Sequence, residues 1–267
     1  MSPITDIELP QVTLRSTFVF SPPGILFGQR DPLTLEPDTI HVWSFALEDE
    51  AEVVERCRAV LSTQERHRAD RFVFARDRVR YIVAHGVLRR LLERYSGFVA
   101  ESMDFEASAT GKPSLRNAPV PHFNLSHSEN GALLGVSGSH ELGIDLERVR
   151  ANIEAHAISR HYFFGSEREA IAASATPDTT FFRYWVAKEA VLKAQGIGLG
   201  FPLDGFRVAF FPGNETARIY SFDPGALSGD WTVRMLPSES GWLAAVAARG
   251  TDWKVKLEDR VTDPSRS

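Results

Sequence analysis

The stretch HFNLSHSENGALLGVSGSHELGIDLERV, residues 122–149, decides the fold class. It holds three short β-like runs, HFNLS, GALLGVSG and LGIDLERV, separated by turn signals, so an antiparallel arrangement is the simplest interpretation. Apolar residues at helical spacing precede it at 50–69 and 77–95 and follow it at 154–173 and 180–195. Further strand-like runs come later in the chain. The sequence therefore predicts a mixed α/β (α+β) protein.

The order of helices and strands occurs about twice. RYIVAHGVLRR (80–90) and RYWVAKEAVLK (183–193) share Arg, Tyr, Val and Ala within their first five positions. Such a match predicts an internal duplication with a site between the two halves. The first 36 residues hold five prolines and little periodicity, which is typical of an extended or partly disordered arm. The predicted boundaries are an N-terminal extension at 1–36, an N-terminal half at 37–148, a C-terminal half at 149–257 and a flexible tail at 258–267.

The composition suits an intracellular protein. The 267 residues are 43% apolar, enough for one large core or two modest cores without disulfides. The single cysteine, Cys57, cannot form an internal disulfide, which favours a reducing compartment. No apolar run approaches the roughly 20 residues of a membrane helix, and MSPITDIELP (1–10) lacks the pattern of a secretion signal. We therefore expect a cytoplasmic protein without a membrane partner.

Charge is unevenly distributed along the chain. The net charge of −5 argues against a protein dedicated to nucleic acid. However, 11 of the 30 basic residues, all of them arginine, lie between Arg56 and Arg94. They suit either the solvated faces of amphipathic helices or a site for a compact polyanion, because guanidinium groups bind phosphate well.

Asp145 and Glu147 stand two residues apart at the end of an apolar strand. Alternate residues of a strand face the same side of a sheet, so both carboxylates leave one face. Paired carboxylates lie in water or share a cation, and oxygen ligands suit Mg²⁺, Mn²⁺ or Ca²⁺ rather than zinc. The pair alone leaves both interpretations open.

Glu189 is predicted to face the packed side of its helix. At about 100° per residue, Phe181, Trp185 and Leu192 fall on one arc, and Glu189 lies inside it. A carboxylate there needs a cation, a metal or a strong donor, because burying an unpartnered charge is costly. Lys193, four residues further on, could supply that cation in an ordinary helical ion pair, which is the alternative to a functional site.

Two loops contribute further polar groups. GKP (111–113) places Lys112 in a turn, and NLSHS (124–128) places Ser126 and His127 beside a strand end. Each is unremarkable alone, since a histidine in a polar loop is usually a local hydrogen bonder.

Together these motifs resemble those of the surfactin-type 4′-phosphopantetheinyl transferases, which activate carrier proteins of polyketide, nonribosomal peptide and fatty acid synthesis. The resemblance rests on GKP from Gly111, FNLSHS from Phe123, GIDLE from Gly143 and WVAKEAVLKAQGIGL from Trp185, in that order, and it covers residues 37–249. It implies two similar α/β halves related by a pseudo-twofold axis, each a small, mainly antiparallel sheet packed on helices. Coenzyme A is expected between them.

The resemblance also implies a metal site and a catalytic group. Asp145, Glu147 and Glu189 match the family's Mg²⁺ ligands, and Mn²⁺ could replace Mg²⁺. Lys193 matches a catalytic-site lysine, and Glu189 is the candidate for removing the proton of the acceptor hydroxyl. Glu167, in YFFGSERE (162–169), resembles a further acidic residue found between the two main motifs.

Coenzyme A phosphates are expected at residues of the two loops: Lys112, Ser126 and His127. The stretch LSTQERHRADRF (61–72) resembles the family segment that contacts the 3′-phosphate, with Arg68 at a matching basic position. Glu65 departs from the pattern, because some members have lysine there. Arg66 and Arg80 are the candidates to compensate.

The implied reaction transfers 4′-phosphopantetheine from coenzyme A to a serine of an apo acyl or peptidyl carrier protein, releasing 3′,5′-ADP with the help of Mg²⁺. Because one chain holds both halves, we expect a monomer. Two other functions stay open: a Mg²⁺-dependent phosphohydrolase acting on coenzyme A or a nucleotide, and a non-catalytic module that binds coenzyme A or a carrier protein.

Overall fold

The computed structural model describes residues 17–28, 30–116, 118, 121–151, 153–198, 200–211, 213–221, 227 and 229–258. The helices are α1 (Pro23–Gly28), α2 (Ala51–Ala59), α3 (Thr63–Asp70), α4 (Ala75–Ser96), α5 (Ala155–Tyr162), α6 (Gly165–Ala173) and α7 (Pro177–Gln195). The strands are β1 (Thr39–Ala46), β2 (Phe105–Ala107), β3 (Pro113–Leu115), β4 (His122–Ser128), β5 (Gly131–Ser137), β6 (Leu142–Arg148), β7 (Phe206–Phe210), β8 (Thr216–Ser221), β9 (Trp231–Leu236), β10 (Trp242–Arg249) and β11 (Lys254–Glu258). None of the helices in these ranges has the length and apolar character needed to cross a membrane.

The strands form two larger sheets. In the first, the order is β11-β1-β5-β4, with β1 and β11 parallel and the other neighbours antiparallel. In the second, the order is β6-β10-β9-β8-β7, with antiparallel neighbours throughout. β2 and β3 form a small antiparallel ribbon. The predicted fold class, with mainly antiparallel sheets packed on helices, is confirmed.

Each sheet contains one strand from the other part of the chain. β6 was expected to complete the N-terminal half, but it pairs with β10 in the second sheet. β11, from the far end of the chain, pairs with β1 in the first sheet. The residue at which the halves divide stays a prediction, whereas the pairing shows that neither sheet is assembled from one continuous segment.

Helices cover one face of each sheet, and the other two faces meet. Leu88 of α4 and Phe45 of β1 share the core under the first sheet. Val186 of α7 and Ala245 of β10 share the core under the second. A third core lies between the sheets and contains apolar residues of β1, β5, β6 and β10. This apolar layer joins the two halves directly.

The predicted extension and tail fall only partly within the described residues, and their bounds stay predictions. Phe18 is buried in the core between the sheets, and its N–H bonds the carbonyl of Pro237 at 3.1 Å. Phe18 of the stretch 17–28 and Leu33 of the stretch 30–36 therefore contact the body of the protein, while residues 1–16 and 29 lie outside the described part. Glu258 is the last residue of β11, and its carboxylate lies 3.0 Å from His41 Nδ1. The tail prediction beyond it, 259–267, also lies outside the described residues.

A capping interaction divides the helix expected at 50–69. Ser62 begins α3, accepting a hydrogen bond from Glu65 N–H at 3.2 Å while its own N–H donates to Glu65 Oε2 at 2.8 Å. This reciprocal arrangement stabilises a helix start, so α2 ends and α3 begins here. The helix expected at 154–173 is likewise divided, because the Phe164 N–H donates to Glu167 at the start of α6.

The two capping glutamates also occupy equivalent places in the two halves. Glu65 pairs with Arg89 at 2.8 Å and lies 3.6 Å from His85, both on α4. Glu167 pairs with Lys188 of α7 at 3.0 Å. His85 and Lys188 are matched positions of RYIVAHGVLRR and RYWVAKEAVLK. The duplication seen in the sequence is therefore repeated in the contacts. The contacts with Arg89 and His85 also explain why an acidic residue occupies position 65.

Replacing Glu65 with glutamine should destabilise the protein at neutral pH. Burial alone would raise the pKa of Glu65, but His85, the Ser62 N–H and Arg89 lower it to about 2. A carboxyl whose pKa falls on folding stabilises the native state above its ordinary pKa of 4.5, and this contribution is lost as the pH falls towards 2. We expect a loss of about 2–3 kcal/mol at pH 7 in urea unfolding.

The same comparison at lower pH provides the check. The difference between wild type and Glu65→Gln should shrink between pH 4.5 and about 2. Glu55→Gln, at an exposed position of α2, is the control and should behave as wild type throughout. A pH-independent difference would contradict the assignment to the Glu65 charge.

Candidate active site

Gly143 lets α7 approach β6 closely. A Cβ at this position would overlap the carbonyl oxygen of Ala190 and the backbone nitrogen of Ala194. Only glycine fits there without moving the helix, because close-packed backbone atoms cannot give way. The close approach brings Glu189 and Lys193 of α7 to the carboxylate face of β6.

Asp145 is buried, with 4% of its surface exposed, and is bonded through one oxygen only. Its Oδ1 accepts hydrogen bonds from Lys193 Nζ at 2.6 Å and from the Ser126 hydroxyl at 3.0 Å. Its Oδ2 is buried without a hydrogen-bond partner among the described residues. Burial raises the pKa of Asp145, although the Lys193 charge opposes this. The second oxygen is therefore available to a cation.

Glu147 leaves the same face of β6, as the sequence predicts. Its Oε2 accepts a hydrogen bond from the Ser128 hydroxyl at 2.8 Å, and Arg150 lies 3.8 Å away. Burial, with a smaller contribution from the Asp145 charge, raises the pKa of Glu147. This carboxylate is only partly exposed, so its orientation depends on these few contacts.

Glu189 is buried, which confirms the position predicted from the helical arc. Its Oε1 has no hydrogen-bond partner in the described part of the chain. Burial and the negative charges of Asp145 and Glu147 raise the pKa of Glu189 to about 7. The ordinary helical ion pair does not form, because the ammonium of Lys193 bonds Asp145 and Ser126.

The three carboxylates line one open cavity of about 310 Å³, together with Leu125, Ser126, His127, Trp185 and Lys193. Within the described ranges, no group of three or more His, Cys, Asp and Glu side chains is already arranged to hold a metal ion. The residues nevertheless suit a hard cation, since two buried carboxylate oxygens, on Asp145 and Glu189, lack partners. Lys193 supplies the positive charge nearest to Asp145.

Cationic groups lie beside these carboxylates. Loss of solvent lowers the pKa of His127, and the charges of Lys193, His85 and Arg80 lower it further. Lys193 and Arg80 are therefore close enough to disfavour a proton on the His127 ring. The site combines acidic groups that suit a metal ion with basic groups that suit phosphate oxygens.

Comparisons with known proteins identify the family. The model of the 4′-phosphopantetheinyl transferase superfamily matches residues 141–247, and that of the 4′-phosphopantetheinyl transferase N-terminal region matches residues 48–141. The 4′-phosphopantetheinyl transferase HetI of Nostoc sp. is 32% identical over 251 residues, which are 91% of this chain and 98% of HetI. This chain belongs to the 4′-phosphopantetheinyl transferase superfamily.

Other members of the superfamily are also similar. The transferase Sfp of Bacillus subtilis is 26% identical over 186 residues, covering 64% of this chain and 81% of Sfp. The human L-aminoadipate-semialdehyde dehydrogenase-phosphopantetheinyl transferase is 28% identical over 232 residues, covering 79% and 75% of the two chains. The crystal structure of Thermotoga maritima holo-[acyl-carrier-protein] synthase matches 42% of this chain and 63% of its own, with 16% identity and a TM-score of 0.36. The predicted family and enzyme class are confirmed by the sequence relatives.

Two of the residues that this transferase was expected to use for coenzyme A phosphates have other partners. The Ser126 hydroxyl donates to Asp145 and accepts from Lys193 at 2.9 Å and from Leu146 N–H at 3.2 Å. These three bonds use the one donor and two acceptor positions of the hydroxyl, and a contact of Ser126 with a phosphate stays a prediction. Lys112 Nζ donates to the carbonyl of Ala194 at 2.7 Å, near the end of α7. Both side chains tie the two halves together.

Arg68 and Arg80 have different partners in the N-terminal half. Arg68 is exposed and lies over the Tyr81 ring, 5.5 Å from its centre, and that ring packs on His85. Arg80 pairs with Glu48 at 2.8 Å, but its charge acts on His127. Of the two arginines, Arg80 is the one whose charge acts on a residue that lines the carboxylate cavity.

Glu167 lies apart from the cavity of this transferase. Its carboxylate is 1% exposed and accepts hydrogen bonds from Lys188 Nζ, Val208 N–H and Phe164 N–H. These contacts are internal to the second core, so Glu167 stabilises the C-terminal half rather than the site.

Sequence reasoning missed Ser128, Asn124 and His85. Ser128 bonds Glu147, Asn124 bonds the backbone of β6, and the His85 charge acts on His127. The signal for the first two was present in NLSHS, where positions 124, 126 and 128 share one face of a strand. His85 carried no local signal, because its role depends on how α4 packs.

Proposed function

We propose that this protein transfers the 4′-phosphopantetheine group of coenzyme A to a serine hydroxyl of an apo acyl or peptidyl carrier protein, releasing 3′,5′-ADP in a Mg²⁺-dependent reaction. The observation that carries the proposal is the shared cavity of Asp145, Glu147 and Glu189, with Lys193 and His127 beside it. This arrangement suits a pyrophosphate, which needs both a hard cation and donors to its oxygens.

The chain's own groups have separate tasks in this proposal. The serine oxygen of the carrier forms a bond to the pantetheine-side phosphorus, while the bond from that phosphorus to the oxygen of the departing ADP breaks. Glu189 accepts the serine proton, because its carboxylate lines the cavity and carries an oxygen with no hydrogen-bond partner in the described part of the chain. Lys193 stabilises negative charge on the departing phosphate.

Asp145, Glu147 and Glu189 are the groups that would hold Mg²⁺, with Mn²⁺ as a substitute. When bound, the ion supplies charge neutralisation at the pyrophosphate. His127, which lines the cavity, and Arg80, whose charge acts on the His127 ring, are the basic side chains that would bind the phosphates of coenzyme A. The lowered pKa of His127 favours its neutral ring, which can accept one hydrogen bond and donate one.

One assay tests this proposal against its rivals. The protein is incubated with coenzyme A, Mg²⁺ and an apo carrier protein, and the carrier is weighed by mass spectrometry. A phosphopantetheinyl mass gain on the carrier supports transfer. Breakdown of coenzyme A without a mass gain indicates a phosphohydrolase, and an unchanged mixture with measurable binding indicates a non-catalytic module.

The monomeric state and the cytoplasmic location stay predictions. Both halves of the proposed site come from one chain, since β6 and α7 carry the carboxylates. Sedimentation of the purified protein should therefore give the mass of a single chain, and an obligate trimer would contradict the expectation.

A further inference from the structure

The two sheets meet at β4 and β6 without sharing a backbone ladder in the described strands. β4 is the edge of the first sheet, and β6 is the edge of the second. Three side chains of β4 bridge the gap by accepting hydrogen bonds from alternate N–H groups of β6. We call Asn124, Ser126 and Ser128 the seam residues; they bond Ile144 N–H at 2.8 Å, Leu146 N–H at 3.2 Å and Arg148 N–H at 3.2 Å, respectively.

Each serine of the seam has a second role. While it accepts from the N–H of β6, its own hydrogen is donated to the carboxylate of the preceding β6 residue. Ser126 donates to Asp145 at 3.0 Å, and Ser128 donates to Glu147 at 2.8 Å. Because each hydroxyl accepts one hydrogen bond and donates another, its orientation is restricted. Its donated hydrogen bond restricts the orientation of the carboxylate in turn.

The contact matters most at Glu147. Asp145 is held by Ser126 and also by Lys193, whereas Glu147 has the Ser128 hydroxyl and the more distant Arg150. A partly exposed glutamate loses considerable rotamer freedom when it binds a cation. A hydrogen bond that holds the carboxylate in place beforehand reduces this loss.

We propose that Ser128 is a positioning residue, which orients Glu147 for cation binding through its hydroxyl and couples that orientation to the junction of the two sheets. The proposal rests on the proposed function, in that Glu147 is taken as a cation ligand. Ser128 is not among the residues that line the carboxylate cavity, so it acts through Glu147.

The test is the binding of Mn²⁺ alone to the full chain. Binding is measured by titration calorimetry or from the electron paramagnetic resonance signal of free Mn²⁺. We expect Ser128→Ala to weaken Mn²⁺ binding by about tenfold, the lower end of the range for residues that orient metal ligands. Ser128→Thr keeps a hydroxyl and should restore most of the affinity. Ser128→Cys, of similar size but a poor donor, should resemble the alanine variant.

Ser137→Ala is the matched control. Ser137 is a buried serine of β5 whose hydroxyl bonds the Thr39 carbonyl at 3.1 Å, and it is not among the residues that line the carboxylate cavity. Its loss should lower the melting temperature without changing Mn²⁺ affinity. If Ser128→Ala binds Mn²⁺ as tightly as wild type, or if Ser137→Ala weakens binding equally, the positioning role is wrong. If wild type itself binds no Mn²⁺, the proposed metal site fails, and this inference fails with it.

Discussion

Glu189→Gln is expected to lower carrier modification by at least about 100-fold, because the amide cannot accept the serine proton and is a poor ligand for a hard cation. The variant should nevertheless fold. Glutamine has nearly the same shape, and the carboxylate that it replaces is held in a buried place beside Asp145 and Glu147. Without a metal ion, the ionised form of Glu189 is disfavoured there, so the neutral variant should unfold no more easily than wild type.

A variant that loses activity but keeps its stability identifies a residue of the active site. Loss of a structural residue would lower the stability as well. Initial rates of carrier mass gain and melting curves in the presence of a chelator are the two measurements. Glu169→Gln, at an exposed position of α6, serves as the control and should change neither. If Glu189→Gln kept more than about a third of the wild-type rate at saturating Mg²⁺, its place in the chemistry would be refuted.

The largest effect on stability is expected from Lys188→Met. Lys188 is fully buried, and its ammonium bonds the carbonyls of Leu203 and Phe206 at 2.7 Å each and the carboxylate of Glu167 at 3.0 Å. Methionine would leave Glu167 charged and uncompensated in the core. Breaking a buried pair in this way costs about 3–5 kcal/mol, which urea unfolding followed by circular dichroism would measure.

A second substitution shows whether the unpaired charge is the cause. Adding Glu167→Gln to Lys188→Met removes that charge while keeping an oxygen that can accept from Val208 N–H, so part of the lost stability should return. Lys254→Met, at an exposed position of β11, should cost less than about 0.5 kcal/mol. A loss below about 1 kcal/mol for Lys188→Met would mean that the pair contributes little.

Local patterns were sufficient to predict many of the helices and strands and the faces on which the carboxylates of the cavity lie. Alternation placed Asp145 and Glu147 on one face of β6, and helical spacing placed Glu189 on the packed face of α7, because these arrangements depend only on neighbours along the chain. Ser62 also carried a readable signal: Ser-x-x-Glu is a capping box, which divides the helix expected at 50–69.

What could not be predicted depends on partners distant in the chain. The exchange of β6 and β11 between the sheets is decided by packing across the third core, and no local pattern names a strand's neighbour. The partners of Ser126 were equally unpredictable, because its hydroxyl bonds Asp145 of β6 and Lys193 of α7, which are distant in the sequence. Lys188 is next to Glu189 in the sequence, but its ammonium is buried and bonds the carbonyl of Leu203 in the second core. Its role is therefore structural.

The parallel pairing of β1 with β11 affects how the nascent chain folds during synthesis. Thr39 of β1 can pair with Lys254 of β11 only after the residues between them have been synthesised, so the first sheet is completed late. Pairings between such distant segments form slowly, because a long loop must close first. Until then an unpaired strand edge is open to other chains. Changes in β11 should therefore reduce the yield of folded protein during synthesis before they affect the chemistry of the finished molecule.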